Sequence, residues 1–164
     1  MEAVIEKMEK TMKTIMVIED NEDLNELVCL VLKDSGFKAL SAKTGEESLK
    51  VMRETRPDLI LLDYVLPDIE GADLFRYISA DKELTGIPVI IVSARGDMHT
   101  KMSSYLAGAR RYITKPFDSD ELVAEIKRTF EQIERTKKIS SYKETHQVAG
   151  DFGVMPADFE KENP

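Results

Sequence analysis

Polar side chains that could do chemistry recur where short apolar runs end in this 164-residue sequence. The side chains concerned are Glu19, Asp20, Asp63, Ser93 and Lys115. If the runs are parallel strands, their carboxyl ends meet at one edge of a sheet, where ligand sites of such sheets form. The set would then bring three carboxylates, a hydroxyl and an ammonium group to a single site.

These groups together suit phosphoryl chemistry. Three carboxylates about 5 Å apart repel by roughly 3 kcal/mol per pair at an effective dielectric near 20, so a cation is expected among them. Oxygen ligands with few protein carboxylates suit Mg²⁺. With Mg²⁺ and Lys115 neutralising charge, Asp63 could attack a phosphoryl group, and the Ser93 hydroxyl could donate to a phosphoryl oxygen. The sequence therefore predicts a magnesium-dependent phosphoacceptor site at Asp63.

Each residue taken singly has a plainer interpretation. Glu19 and Asp20 could be a charge pair favoured by a helix N-terminus, and Ser93 could be a cap. Lys115 could be a solvated surface lysine, and Asp63 could be an ordinary loop residue. Their joint occurrence at four strand ends, in the expected order, favours the functional interpretation.

The strands that would position these residues are indicated by the apolar runs. Three runs are continuously apolar, as expected of central parallel strands covered on both faces. Two shorter runs carry charge, which suits strands near the edges. The central runs span 15–18, 59–62 and 89–92, and the outer runs span 37–40 and 111–113. Alternation with amphipathic stretches predicts an α/β fold, a doubly wound five-stranded parallel sheet with five helices.

Apolar spacing indicates which faces of these helices pack. The first predicted helix carries a stripe of Leu24, Leu27, Val28, Val31 and Leu32. The second begins at a capping box that starts at Thr44. The fourth, residues 97–108, carries Met98, Met102 and Leu106 on one stripe.

Composition restricts the function classes. A net charge of −8 and a pI near 4.9 argue against nucleic acid as a direct partner, because phosphate binding needs a basic face. The sequence lacks an apolar run long enough for a membrane span and a signal-peptide core, so we expect a cytoplasmic protein without membrane contact. The single cysteine, Cys29, excludes a disulfide framework.

The chain is expected to contain one folded domain, residues 13–137. Residues 1–12 form an N-terminal extension, for which a frayed tail is favoured over a short helix. Residues 138–164 are polar and contain Gly150, Gly153 and Pro156, which is typical of a tail or linker.

Over roughly residues 13–135 the sequence resembles the receiver domain of two-component response regulators. The motifs that carry the resemblance are Val17-Ile18-Glu19-Asp20-Asn21, Leu61-Leu62-Asp63 followed by Leu66-Pro67 and Gly71, Val92-Ser93-Ala94, and Gly108-Ala109 followed by Tyr112 and Lys115-Pro116-Phe117. The resemblance implies the flavodoxin-like strand order 2-1-3-4-5. It also implies a signalling switch that catalyses only its own phosphorylation and dephosphorylation, rather than an enzyme.

The resemblance further implies a ligand set and a phosphoryl donor. Asp20, Asp63 and the Val65 carbonyl would bind Mg²⁺, with Glu19 acting through water. Asp63 would accept the phosphoryl group from a histidine of a partner kinase or phosphotransfer protein. Val65 and Arg95 resemble positions that tune the lifetime of the phosphoryl group.

The switch is also implied by the resemblance. Ser93 and Lys115 would hold the phosphoryl oxygens, and Tyr112 would rotate inward as Ser93 moves, although Tyr112 could simply be half buried for packing. The change would remodel the face made by the fourth predicted helix, the fifth strand and the fifth helix. That face would control an unknown downstream protein or output domain, and it could carry a homodimer. The Lys115-Pro116 bond is expected to be cis.

Three other classes of protein share parts of this pattern. A haloacid-dehalogenase-type phosphatase needs a second aspartate two residues after the nucleophile, where this sequence has Val65. A flavodoxin-like cofactor binder needs a phosphate loop after the first strand, where Glu19 and Asp20 would repel a phosphate. A receiver-like interaction or dimerisation module that works without phosphorylation stays open as the alternative.

Overall fold

The structure is a computed structural model that describes residues 1–147, apart from the side chains of residues 8–10, 146 and 147. Residues 148–164 lie outside the described part. In chain order the elements are α1 (Glu2–Thr11), β1 (Thr14–Ile18), α2 (Glu22–Asp34), β2 (Lys38–Ala42), α3 (Gly45–Thr55), β3 (Leu59–Leu62), α4 (Gly71–Ala80), β4 (Val89–Ser93), α5 (Met98–Leu106), β5 (Arg111–Thr114) and α6 (Ser119–Gln147).

The five strands form one parallel sheet in the order β2-β1-β3-β4-β5, which confirms the predicted α/β fold and strand order. β3 and β4 are buried along their whole length, and β1 is buried after its first residue. β2 and β5 are only partly buried and lie at the edges. Continuous apolar runs thus became central strands because both faces of the sheet are covered.

Helix α2 follows β1 and packs through a face that the sequence predicted only in part. Its N-cap, Asn21, accepts a hydrogen bond from the Leu24 amide at 3.0 Å. Its buried residues are Asn25, Val28 and Leu32, whereas Leu27 is 52% exposed. The predicted stripe was therefore wrong at Leu27, and an amide side chain takes an inward position.

Helix α3 begins at the predicted capping box. The Thr44 hydroxyl accepts from the Glu47 amide at 3.1 Å, and the Glu47 carboxylate accepts from the Lys43 amide at 2.9 Å. The reciprocal bond reaches one residue further back than in the standard box. It still satisfies a backbone donor at the start of the helix.

Helix α5 corresponds to the fourth predicted helix and leaves its apolar stripe in solvent. Met98, Met102 and Leu106 are 74%, 52% and 84% exposed. Tyr105 adds a further partly exposed ring at 46%. The stripe is therefore a surface of the described molecule and not a packing face.

The described residues contain six helices, one more than predicted. Residues 2–11 form α1, so the frayed tail favoured for the N-terminus was wrong. That segment contains neither proline nor glycine and is rich in glutamate and lysine, which are good helix formers. α6 continues to Gln147 for a similar reason, since the first glycine after its start is Gly150. The rest of the predicted tail, 148–164, lies outside the described residues.

The chain divides into two compact units, residues 1–127 and 128–164. The first unit contains the whole sheet, and the described part of the second, residues 128–147, is helical. None of the helices in residues 1–147 combines the length and the apolar character needed to cross a membrane. The boundaries 13–137 for the folded domain remain a prediction.

Candidate functional site

Four strands deliver the candidate residues to one edge of the sheet. Glu19 follows β1, Asp63 follows β3, Ser93 ends β4 and Lys115 follows β5. The ladder continues past the strand ends, because the Asp63 amide donates to the Ile18 carbonyl at 3.0 Å. The Lys115 amide likewise donates to the Ser93 carbonyl at 2.8 Å. Backbone pairing therefore fixes the positions of the Cα atoms from which these side chains project.

Three carboxylates come together at this edge. Glu19, Asp20 and Asp63 each place a carboxylate oxygen within 4.8 Å of the other two. Glu19 and Asp63 are only 5% and 7% exposed, while Asp20 is exposed. Two acids of the cluster are therefore buried, and the third is exposed to solvent beside them.

Lys115 reaches into this cluster from β5. Its Nζ lies 3.0 Å from Asp63 Oδ2 and also donates to Glu19 Oε2. The lysine side chain is 18% exposed. The peptide bond between Lys115 and Pro116 is cis, which confirms the prediction. A single ammonium group is shared by two buried acids.

The ionisation of the cluster reflects burial and pairing. Burial raises the pKa of Glu19, and the nearby Asp63 charge adds to this, against the lowering effect of hydrogen bonds from Lys115 and the Asn21 amide. Burial alone would lower the pKa of Lys115, but its hydrogen bonds to Glu19 and Asp63 outweigh that and hold the pKa above that of an ordinary lysine. Lys115 therefore stays charged at neutral pH.

The loop after Asp63 packs closely against the start of α4. The Val65 amide donates to Asp63 Oδ1 at 3.2 Å. A Cβ on Gly71 would lie 2.5 Å from the Asp63 carbonyl oxygen and 2.6 Å from the Tyr64 Cα. Because both are backbone atoms, only glycine fits there. The approach of α4 fixes the backbone that presents Asp63.

Ser93 and Tyr112 stand on the neighbouring strands. Ser93 is buried, and its hydroxyl oxygen accepts from the Arg95 amide at 3.2 Å. The half-buried Tyr112 donates its hydroxyl to the Arg95 carbonyl, and Lys101 Nζ lies 5.8 Å from the centre of its ring. Burial raises the pKa of Tyr112. These hydrogen bonds join Ser93 and Tyr112 to the backbone of Arg95.

The sequence did not lead us to predict two side chains that contact the backbone of the site. Asn25 donates from beneath Glu19 to backbone carbonyls. Asp68, in the loop after Asp63, accepts from the Gly45 and Glu46 amides at 2.9 and 3.0 Å and so ties that loop to the start of α3. Asn25 left a signal, since it falls at helical spacing with Val28 and Leu32 on the buried face. Asp68 looked like an ordinary turn residue.

The donor set fits a hard divalent cation. Carboxylate oxygens from three acids lie within 4.8 Å of one another, and the cluster that they form among the described residues contains no histidine or cysteine. Oxygen-only ligands with one acid open to solvent suit Mg²⁺, which keeps several waters when bound. Asp20 is the acid that is open to solvent.

The sequence matches the family model described as "Response regulator receiver domain" over residues 15–127. Phosphate regulon transcriptional regulatory protein PhoB of Escherichia coli (strain K12) is 36% identical over 121 residues, covering 74% of this chain and 53% of that protein. DNA-binding response regulator MtrA of Mycobacterium tuberculosis (strain CDC 1551 / Oshkosh) is 36% identical over 120 residues, covering 73% and 51%. The chain thus spans about half the length of the curated relatives it matches.

Solved structures give the same result for the fold. A putative response regulator from Chloroflexus aurantiacus J-10-fl aligns with a TM-score of 0.69 at 30% identity, covering 73% of this chain and 98% of that one. A response regulator receiver domain protein (CheY-like) from Methanospirillum hungatei JF-1 aligns with a TM-score of 0.71 at 27% identity, covering 77% and 99%.

Proposed function

Because this chain belongs to the response regulator receiver domain family, we propose that it accepts a phosphoryl group on Asp63 from a histidine of a partner kinase or phosphotransfer protein. The observation that carries the proposal is the cluster of Glu19, Asp20 and Asp63 around the ammonium group of Lys115. A buried acid paired with a cation beside two further acids suits phosphoryl transfer better than packing. The protein acts as a switch, not as a metabolic enzyme.

In the proposed transfer, one Asp63 carboxylate oxygen forms a bond to phosphorus while the phosphorus–nitrogen bond to the donor histidine breaks. The electron pair of that bond stays on the imidazole. Lys115, 3.0 Å from Asp63 Oδ2, offsets the charge that approaching phosphoryl oxygens bring. The buried hydroxyl of Ser93 is the donor assigned to a phosphoryl oxygen.

The metal requirement follows from the same residues. Asp20, Asp63 and the Val65 carbonyl would hold Mg²⁺, and Glu19 would act through a water molecule. When bound, Mg²⁺ would supply positive charge that reduces repulsion between the acids and a phosphoryl group. The oxygen donors described above support this assignment.

The switch is proposed to run from Ser93 through Tyr112 to the surface of α5, β5 and the start of α6. Movement of the Ser93 hydroxyl toward a phosphoryl group would release its bond to the Arg95 amide, and the Tyr112 hydroxyl bonds to the carbonyl of the same residue. The exposed stripe of α5, with Leu106 84% exposed, supports this surface as the one that meets a downstream partner or a second copy.

The partners are part of the proposal. PhoB is named as a transcriptional regulator and MtrA as a DNA-binding response regulator, and each is about twice as long as its match to this chain. We therefore assign the output to another protein or domain in the cytoplasm. The net charge of −8 supports the absence of direct nucleic-acid contact by these residues.

The test is phosphorylation by acetyl phosphate with Mg²⁺, read as a mass gain of the intact protein. Asp63→Asn should abolish the gain. Asp58→Asn is the matched control, because Asp58 directly precedes β3 at the opposite end of the strand, where it accepts from the Thr14 amide. The control should gain mass as the unchanged protein does.

The same assay separates the phosphorylation-independent alternative. If a control receiver is phosphorylated under these conditions while this protein is not, the phosphoacceptor function is refuted and a docking module is left. If Asp63→Asn still gains mass, another residue is the phosphoryl acceptor.

A further inference from the structure

Asn25 is a buried amide that bonds to the backbone of the acidic cluster. Its side chain is in α2 and the residue is 4% exposed. Its Nδ2 donates to the Glu19 carbonyl at 3.0 Å and to the Ala42 carbonyl at 3.3 Å. The Glu19 amide donates to the same Ala42 carbonyl at 3.1 Å. One amide group therefore ties α2 to the ends of both β1 and β2.

The orientation of this amide is fixed by its surroundings. Two carbonyl oxygens face its nitrogen, and the Cys29 thiol donates to its oxygen at 3.5 Å. Turning the amide over would place its oxygen against two carbonyls, so only one orientation satisfies the site. Asn25 thus acts as a donor pair that no apolar side chain of similar size can replace.

The carbonyl that Asn25 holds belongs to the peptide between Glu19 and Asp20. That peptide joins a buried acid to an exposed one, and it sets the direction in which both side chains leave the backbone. Without the amide, the Glu19 carbonyl would lose this buried partner, and an unsatisfied buried carbonyl favours a rearranged turn. A rearranged turn would separate the acids that the cluster brings within 4.8 Å.

We propose that Asn25 is a positioning residue for the divalent-cation site: its amide holds the Glu19–Asp20 peptide so that both acids converge with Asp63. The inference rests on the proposed function, since it concerns the affinity of that site for Mg²⁺. Partners that orient metal ligands change metal affinity by roughly 10–100-fold when removed. Because Asn25 acts on the backbone and not on a carboxylate, the lower end of that range is expected.

The experiment measures the dissociation constant for Mg²⁺ by isothermal titration calorimetry in Asn25→Leu, Asn25→Ser and the unchanged protein. Both variants should bind Mg²⁺ about ten-fold more weakly. Ser104→Ala is the matched control, because Ser104 is also buried and donates to a helix carbonyl, Thr100 O at 2.8 Å, on α5. It should lower stability without changing the affinity.

A second measurement separates positioning from loss of fold. Phosphorylation by acetyl phosphate, followed against Mg²⁺ concentration, should shift to higher Mg²⁺ in Asn25→Ser while the rate at saturation stays within about two-fold. A general structural defect would lower the saturating rate and leave the half-saturating concentration unchanged. Circular dichroism shows whether each variant folds. If Asn25→Leu does not fold, the Mg²⁺ affinity of Asn25→Ser decides the test.

Equal Mg²⁺ affinity in Asn25→Ser and the unchanged protein would overturn the inference. So would a ten-fold loss that Ser104→Ala reproduces. If the unchanged protein binds no Mg²⁺, the proposed function fails instead, so the two failures are distinguishable.

Discussion

Lys115→Met should lower the free energy of unfolding of the metal-free protein by about 3 kcal/mol. At 3.0 Å and an effective dielectric near 20, the attraction between Lys115 and Asp63 is about 5 kcal/mol, and the contact with Glu19 adds to it. Dehydration of the ions offsets part of this attraction. Removing one partner of a buried pair costs about 3–5 kcal/mol, and the 18% exposure of Lys115 places the loss at the lower end.

The assay is urea unfolding at neutral pH with EDTA, followed by circular dichroism. Lys43→Met is the matched control, because Lys43 also pairs with an acid, Glu22, but the two side chains are 50% and 69% exposed. The control should lose much less stability, because water screens an exposed ion pair. Adding Mg²⁺ should recover more stability in Lys115→Met than in the control, since three acids then lack any other counter-ion. Equal losses in the two variants, or a gain in Lys115→Met, would refute the assignment of Lys115 as the internal counter-ion of the cluster.

Three further predictions follow from the same geometry. Mg²⁺ should raise the melting temperature, and Asp63→Asn should reduce that rise while changing metal-free stability by less than about 1 kcal/mol, because lost repulsion from two acids nearly balances the lost pairing with Lys115. Since the pKa of Lys115 is raised in the folded protein, its contribution to stability is complete below the pKa of an ordinary lysine and is lost as the pH rises through the folded-state pKa. Urea midpoints should therefore fall less steeply at alkaline pH in Lys115→Met. Gly71→Ala should cost about 1–3 kcal/mol and slow phosphorylation, whereas Gly86→Ala, whose Cβ would meet only a side-chain atom at 3.6 Å, should be nearly neutral in both assays; equal effects of the two alanines would contradict the close approach at Gly71.

The sheet was predictable because its central strands are covered on both faces and therefore consist of unbroken apolar runs. That pattern located β1, β3 and β4. The polar residue that follows each run must then lie at the carboxyl edge of the sheet, independently of the loop conformations. This is why the sequence alone predicts that Asp63 and Glu19 lie close together.

Other features depend on information that a linear pattern does not contain. The N-terminal segment offered only a few apolar residues, and its helical form follows from residue propensity, which is a weak indicator over one short stretch. Asn25 was overlooked because polar residues on a helix usually face water. Its inward position is explained only by the two carbonyls it meets, one of them from β2. Asp68 likewise acquires its role from α3, 22 or 23 residues away in the chain.

The bonds of Lys115 also bear on how the chain folds. Lys115 and Glu19 are separated by 96 residues, and Lys115 and Asp63 by 52. Contacts this distant in sequence carry an entropic cost, because a long loop must close before the contact can form. The last strand must dock before the acids receive their ammonium group. Truncated chains that end before β5 would hold the acids without their ammonium group.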